Sequence, residues 1–92
     1  MDWEAEVAVV IGARGKNIPE RDAFRHVFGY TVLNYISARD LQRRYGGQYL
    51  KGKILDGKCR LGPWIVTADE LDPDNRRIMS RVNGITKQDS NT

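Results

Sequence analysis

Between Gly29 and Gln42 the chain changes its repeat, reading Gly-Tyr-Thr-Val-Leu-Asn-Tyr-Ile-Ser-Ala-Arg-Asp-Leu-Gln. Tyr30 to Ile36 are rich in β-branched and aromatic side chains, which suit a pleated, half-buried surface. Ser37 and Asp40 then stand three apart, the spacing of a helix N-cap and its N3 partner. The stretch predicts a strand that runs straight into a helix, with the junction at Asn34 to Ser37. Such a junction gathers unpaired backbone N–H groups and the positive end of a helix dipole, so side chains leaving it can meet an anion or a metal-bound ligand.

The flanking segments build a mainly β frame around that junction. From Trp3 to Ile11 the period is two, with Trp3, Ala5, Val7, Val9 and Ile11 on one face and Glu4, Glu6, Ala8 and Val10 on the other. Glu4 and Glu6 thus share a face about 7 Å apart, close enough to converge on one ion or simply to form an acidic solvent face. Gly12 to Asn17 reads as a connector. Pro19, the early acids Glu20 and Asp22, the late bases Arg25 and His26, and Gly29 beyond them predict a helix over Pro19 to Phe28, buried through Ala23, Phe24, Val27 and Phe28. His26, the only histidine, suits the helix C-terminus as a structural residue.

Ala38 to Tyr45 predicts a second short helix closed by Gly46-Gly47, with Arg39 and Gln42 on one side of it. Leu61 to Thr67 reads as a strand entered through Pro63, with Trp64 in the core. Asp69 to Asn75 is turn-rich, and Asn83-Gly84 is the strongest hairpin signal in the chain, joining Arg76 to Val82 with Ile85 to Gln88.

Composition narrows the function classes. The 92 residues carry a net charge of +3 with the bases scattered among acids, which argues against a nucleic-acid surface. Cys59 stands alone, which excludes an internal disulfide and a cysteine zinc cluster and suits a reducing compartment. No stretch has the length of a membrane span, and the start lacks the pattern of a secretory signal, so a cytoplasmic protein is expected.

The run Gly-Tyr-Thr-Val-x-Asn-x-x-Ser-Ala-Arg-Asp-Leu-Gln resembles the signature of the fumarylacetoacetate hydrolase (FAH) family. The likeness extends to Glu4-Ala5-Glu6, Asn17-Ile18-Pro19-Glu20, Gly52-Lys53, Leu61 to Thr67, Val82-Asn83-Gly84 and Gln88 to Thr92. It implies an α+β, mainly β fold, a partial FAH-type mixed β-sandwich or β-roll with two short helices, forming a single partial catalytic domain over residues 1–92.

The resemblance also implies roles. Glu4 and Glu6 fall where the family binds Mg²⁺ or Mn²⁺, and Tyr35 stands where its third ligand, an aspartate, is expected. Arg39 and Gln42 would contact the carboxylate and keto oxygens of a substrate, Lys53 would polarise its carbonyl or stabilise the enolate, and Thr92 would reach toward the site unless, as the last residue, it frays. Ile54 and Ile85 replace a serine and a glutamate of the family pattern. Two hypotheses follow. One is a metal-dependent hydrolase, decarboxylase or hydratase acting on a small 2-oxo or 1,3-dicarbonyl acid through an enolate, impaired by Tyr35 because a neutral phenol replaces a carboxylate. The other is a degenerate, non-catalytic paralogue or fragment that serves as an assembly partner. Either is expected to form a homodimer or higher oligomer, because a partial domain leaves strand edges open.

Overall fold

The computed structural model describes residues 1–92. In chain order the elements are β1 (Ala5–Ile11), a 3₁₀ helix (Glu20–His26), β2 (Val27–Tyr35), α1 (Arg39–Arg44), α2 (Tyr49–Lys53), β3 (Cys59–Leu61), β4 (Val66–Thr67), β5 (Arg77–Val82) and β6 (Ile85–Asn91). The mainly β class with few short helices is what the sequence predicts. The strand-to-helix junction is present as well, with β2 ending at Tyr35 and α1 beginning at Arg39.

β2 is the hub. Its β-branched and aromatic run pairs antiparallel with β1 on one edge, from Ala5 opposite Asn34 to Val10 opposite Gly29. On its other edge it pairs with β3 at Leu33 to Tyr35 and with β4 at Gly29 and Tyr30. The single strand expected over Leu61 to Thr67 is therefore two short strands, interrupted around Pro63, which has no N–H to give to a ladder. β5 and β6 form a separate hairpin in which Asn83 (φ 52°) and Gly84 (φ 79°) both take the left-handed conformation of a tight two-residue turn. The side-chain oxygen of Gln88 ties this hairpin to β1, accepting from the Ala5 N–H at 2.8 Å and from the Ser80 hydroxyl at 3.0 Å.

Five of 92 residues are buried, and they mark where the chain is closed. They are Gly29 and Tyr30 in β2, Ser37 and Ala38 at the junction, and Gly52 in α2. The chain is thus closed in two places, where β4 crosses the start of β2 at Gly29 and Tyr30, and at the junction, where Ser37 and Ala38 meet Gly52.

Three expectations fail, for related reasons. The helix over Pro19 to Phe28 is a 3₁₀ segment, with three residues per turn, and Val27 and Phe28 already belong to β2. Its supposed buried stripe is open, with Phe24 72% exposed. Trp64, expected in the core, is 71% exposed. The faces of β1 are also inverted relative to their polarity: Val7, Val9 and Ile11 are exposed, while Glu6, Ala8 and Val10 are half-covered. Apolar periodicity marks faces that need a cover, and on that side of the sheet this chain encloses Tyr30 but leaves Val9 and Val32 open.

Candidate functional site

Glu4 is the centre of the enclosed region at the junction. Its Oε1 accepts from the Ser37 hydroxyl at 2.7 Å, from Arg39 Nη2 at 2.6 Å and from Lys53 Nζ at 2.9 Å, while Oε2 accepts from Lys53 Nζ at 2.8 Å. Three elements bring these groups together. Backbone bonds between Asp2 and Ser37, at 2.7 and 2.9 Å, clamp the start of the chain against the junction. α1 presents Arg39, whose Nε donates to Asp2 Oδ2 at 2.9 Å and whose Nη1 donates to Gln42 Oε1 at 3.0 Å. α2 presents Lys53 and lies close against α1. The Ala38 N–H donates to the Gly52 carbonyl at 2.8 Å, and a Cβ on Gly52 would stand 2.9 Å from the Cβ of Gln42, so glycine permits this approach.

Ser37 does not act as the expected helix cap. It is fully buried and its hydroxyl is turned to Glu4, and α1 has no side-chain cap at its start. Desolvation at this mostly covered position pushes the Glu4 carboxyl up. The hydrogen bonds from Lys53 and Ser37 and the charges of Lys53 and Arg39 outweigh it, holding the group below its ordinary value of 4.5. Arg39 shifts the other way, stabilised in its charged form first by its bond to Asp2.

The register places position 35 in the same cluster. The Tyr35 N–H donates to the Glu4 carbonyl at 3.0 Å and Glu6 is paired with Leu33, so Glu4, Glu6 and Tyr35 emerge on one face of the sheet. The Tyr35 ring lies with its centroid 4.5 Å from Lys53 Nζ, and the Tyr49 ring 5.9 Å from it on another side. Glu6 is half-buried on that face, outside the hydrogen-bonded group around Glu4. Thr92 stands apart, its hydroxyl donating to the Pro73 carbonyl at 2.5 Å and accepting from the Arg76 N–H at 2.9 Å. His26 Nδ1 is 3.0 Å from the Ala13 carbonyl, a local contact consistent with a structural role.

These residues do not fit a divalent metal. Both oxygens of Glu4 are capped by N–H and O–H donors, position 35 offers a neutral phenol, and no three His, Cys, Asp or Glu side chains stand near enough to share an ion. Asp2, Ser37 and Tyr49 are members of the cluster that the sequence reading does not assign. Ser37 lies inside the signature and was legible as a polar junction residue. Asp2 and Tyr49 carry no local signal of their position.

The family model described as fumarylacetoacetate (FAA) hydrolase C-terminal matches residues 1–92. The chain belongs to the fumarylacetoacetate hydrolase family. Among curated relatives, a Xenopus laevis protein named as a mitochondrial oxaloacetate tautomerase is 55% identical over 94 aligned residues, covering 100% of this chain and 30% of its own. The chain thus spans about a third of the length of the curated relatives it matches. The solved fumarylacetoacetate hydrolase of Exiguobacterium antarcticum superposes with a TM-score of 0.91 at 43% identity, over 97% of this chain and 32% of that one. A Mycobacterium smegmatis structure titled 5-carboxymethyl-2-hydroxymuconate delta-isomerase gives 0.88 at 44% identity, over 97% and 34%. The FAH likeness therefore covers almost all of this chain, including both helices of the site.

Proposed function

We propose that this chain is a single partial catalytic domain of an FAH-family enzyme, and that the cluster around Glu4 takes a small 2-oxo or 1,3-dicarbonyl acid and stabilises its enolate. One observation carries the reading. Arg39 and Lys53, from two separate helices, converge on one shielded carboxylate, with Gln42 held beside Arg39, and the Glu4 and Lys53 side chains retain only 16% and 13% of their exposure. In such a place charge interactions are far stronger than in water.

The chemistry follows from the donor geometry. Arg39 spreads its fork over Asp2, Glu4 and Gln42, and a substrate carboxylate would take the place of the acid partners, bound by two parallel N–H donors. The ammonium of Lys53 would lie beside the keto oxygen and favour it as it gains negative charge. Two relatives carry names that denote isomerisations, one of them of oxaloacetate, which supports a keto–enol shift over bond cleavage. Thr92 is left out of this site because its hydroxyl is committed to Pro73 and Arg76. The chain is expected to work as a homodimer or larger assembly in a reducing compartment, which suits the exposed free thiol of Cys59. The cytoplasm is the compartment the sequence favours, and the mitochondrial relative adds a second.

The test is the ultraviolet decay of enol oxaloacetate with and without protein. Acceleration that disappears in Lys53→Met supports the reading. A rate equal to buffer, with no oxo-acid binding, overturns it. Binding without turnover favours the second reading, a non-catalytic family member acting as an assembly partner, for which the ring at Tyr35 is the supporting observation.

A further inference from the structure

We propose that the ammonium of Lys53 is the resident cation of this site, seated on Glu4 in place of a divalent metal, with Tyr35 as its aromatic seat. The proposal concerns the ion at the centre of the cluster and stands or falls whether or not an oxo acid is turned over there.

Three observations support it. First, Lys53 Nζ caps both oxygens of Glu4, at 2.8 and 2.9 Å, while Ser37 and Arg39 complete the coordination of Oε1. An incoming ion would have to remove the lysine and then sit beside Arg39, a second fixed positive charge. Second, Tyr35 is cross-strand from Glu4 on the same face of the sheet, so β2 brings a ring and a neutral phenol beside Glu4 where a carboxylate could have stood. It presents a ring face 4.5 Å from the ammonium, and Tyr49 adds another at 5.9 Å. Ring faces attract an ammonium group, whereas Mg²⁺ and Mn²⁺ need hard oxygen donors. Third, the net charge here is too small to hold a metal. Asp2, Glu4 and Glu6 supply three negative charges and Arg39 and Lys53 two positive ones on this part of the molecule, leaving one negative charge, too few to retain a doubly charged ion against those two cations. A carboxylate at position 35 would add the missing charge and remove the ring.

Free Mn²⁺, followed by its electron paramagnetic resonance signal, reports binding on the full chain. The unmutated protein is expected to show no saturable binding at millimolar Mn²⁺, and its melting temperature is expected to be the same in EDTA and in Mn²⁺. Tyr35→Asp should gain Mn²⁺ affinity by at least about 10–100-fold, the range associated with losing even an outer partner of a metal site. A readout that needs no variant to refold is the rate at which each lysine is reductively methylated. Lys53 should react at least about tenfold more slowly than exposed Lys51, in EDTA and in Mn²⁺ alike, the delay of a shielded, hydrogen-bonded amine. Saturable Mn²⁺ binding by the unmutated protein, a melting temperature raised by Mn²⁺, or a Lys53 that reacts as fast as Lys51 would each overturn the proposal.

Discussion

Glu4 shows how one residue can hold a site together. It receives four hydrogen bonds from three side chains of the junction and the two helices, and those donors hold its carboxyl below the ordinary value of 4.5. A depressed carboxyl contributes stability that is fully present above the unfolded pKa and lost as the pH falls through the folded one. The melting temperature should therefore decline as acid is added below about pH 4.5, and Glu4→Gln should flatten that part of the profile while lowering stability at neutral pH. Its neutral amide leaves Lys53 without a counter-charge and Arg39 with Asp2 alone. Loss of one partner from a largely buried ion pair costs about 3–5 kcal/mol, and Glu4, with 16% of its side chain exposed, should fall at or below the lower end. Thermal melts between pH 3 and pH 7, chosen to bracket the carboxyl range, check both parts. An unchanged acid limb in Glu4→Gln would show that other carboxylates control it.

At the scale of elements, the legible parts are those fixed by local chemistry. Tyr30 to Ile36 reads as a strand because β-branched and aromatic side chains suit β2, and Asn83-Gly84 reads as a hairpin because both residues tolerate positive φ. The Gly46-Gly47 stop after α1 is legible for the same reason, with φ of 70° and 79°. What was not legible depends on distance. Lys53 and Glu4 are 49 residues apart, and nothing local shows that α2 forms or that its glycine lets Lys53 reach β1. Ser37 reads as a cap because the capping pattern and a hydroxyl aimed at a carboxylate look alike in sequence. Phe24 and Trp64 read as core yet are exposed, because hydrophobicity shows which side chains favour a cover and not whether the chain supplies one.

The whole molecule is open for its size. Its accessible surface is 7338 Å², against about 5,400 Å² for a compact chain of its 10.5 kDa mass. Its radius of gyration is 15.7 Å, against about 12 Å for a compact domain of this length. The excess is roughly twice the ~800 Å² that each partner buries in a standard interface, and much of the exposed apolar surface lies on one side of the sheet at Val7, Val9 and Val32, with Trp64 beside them. Multi-angle light scattering at micromolar concentration should therefore show a dimer or larger species, and a monodisperse monomer with a cooperative melt would contradict that. The small enclosed region nonetheless keeps Arg39, Gln42 and Lys53 together, so an open chain is expected to retain a working anion site. Isothermal titration with oxaloacetate in EDTA tests this most directly. The account predicts one saturable site per chain, with affinity reduced about 10–100-fold in Arg39→Lys, which keeps the charge but loses the fork. Equal affinity in the unmutated and Arg39→Lys proteins, or binding that appears only when EDTA is replaced by excess Mg²⁺, would contradict it.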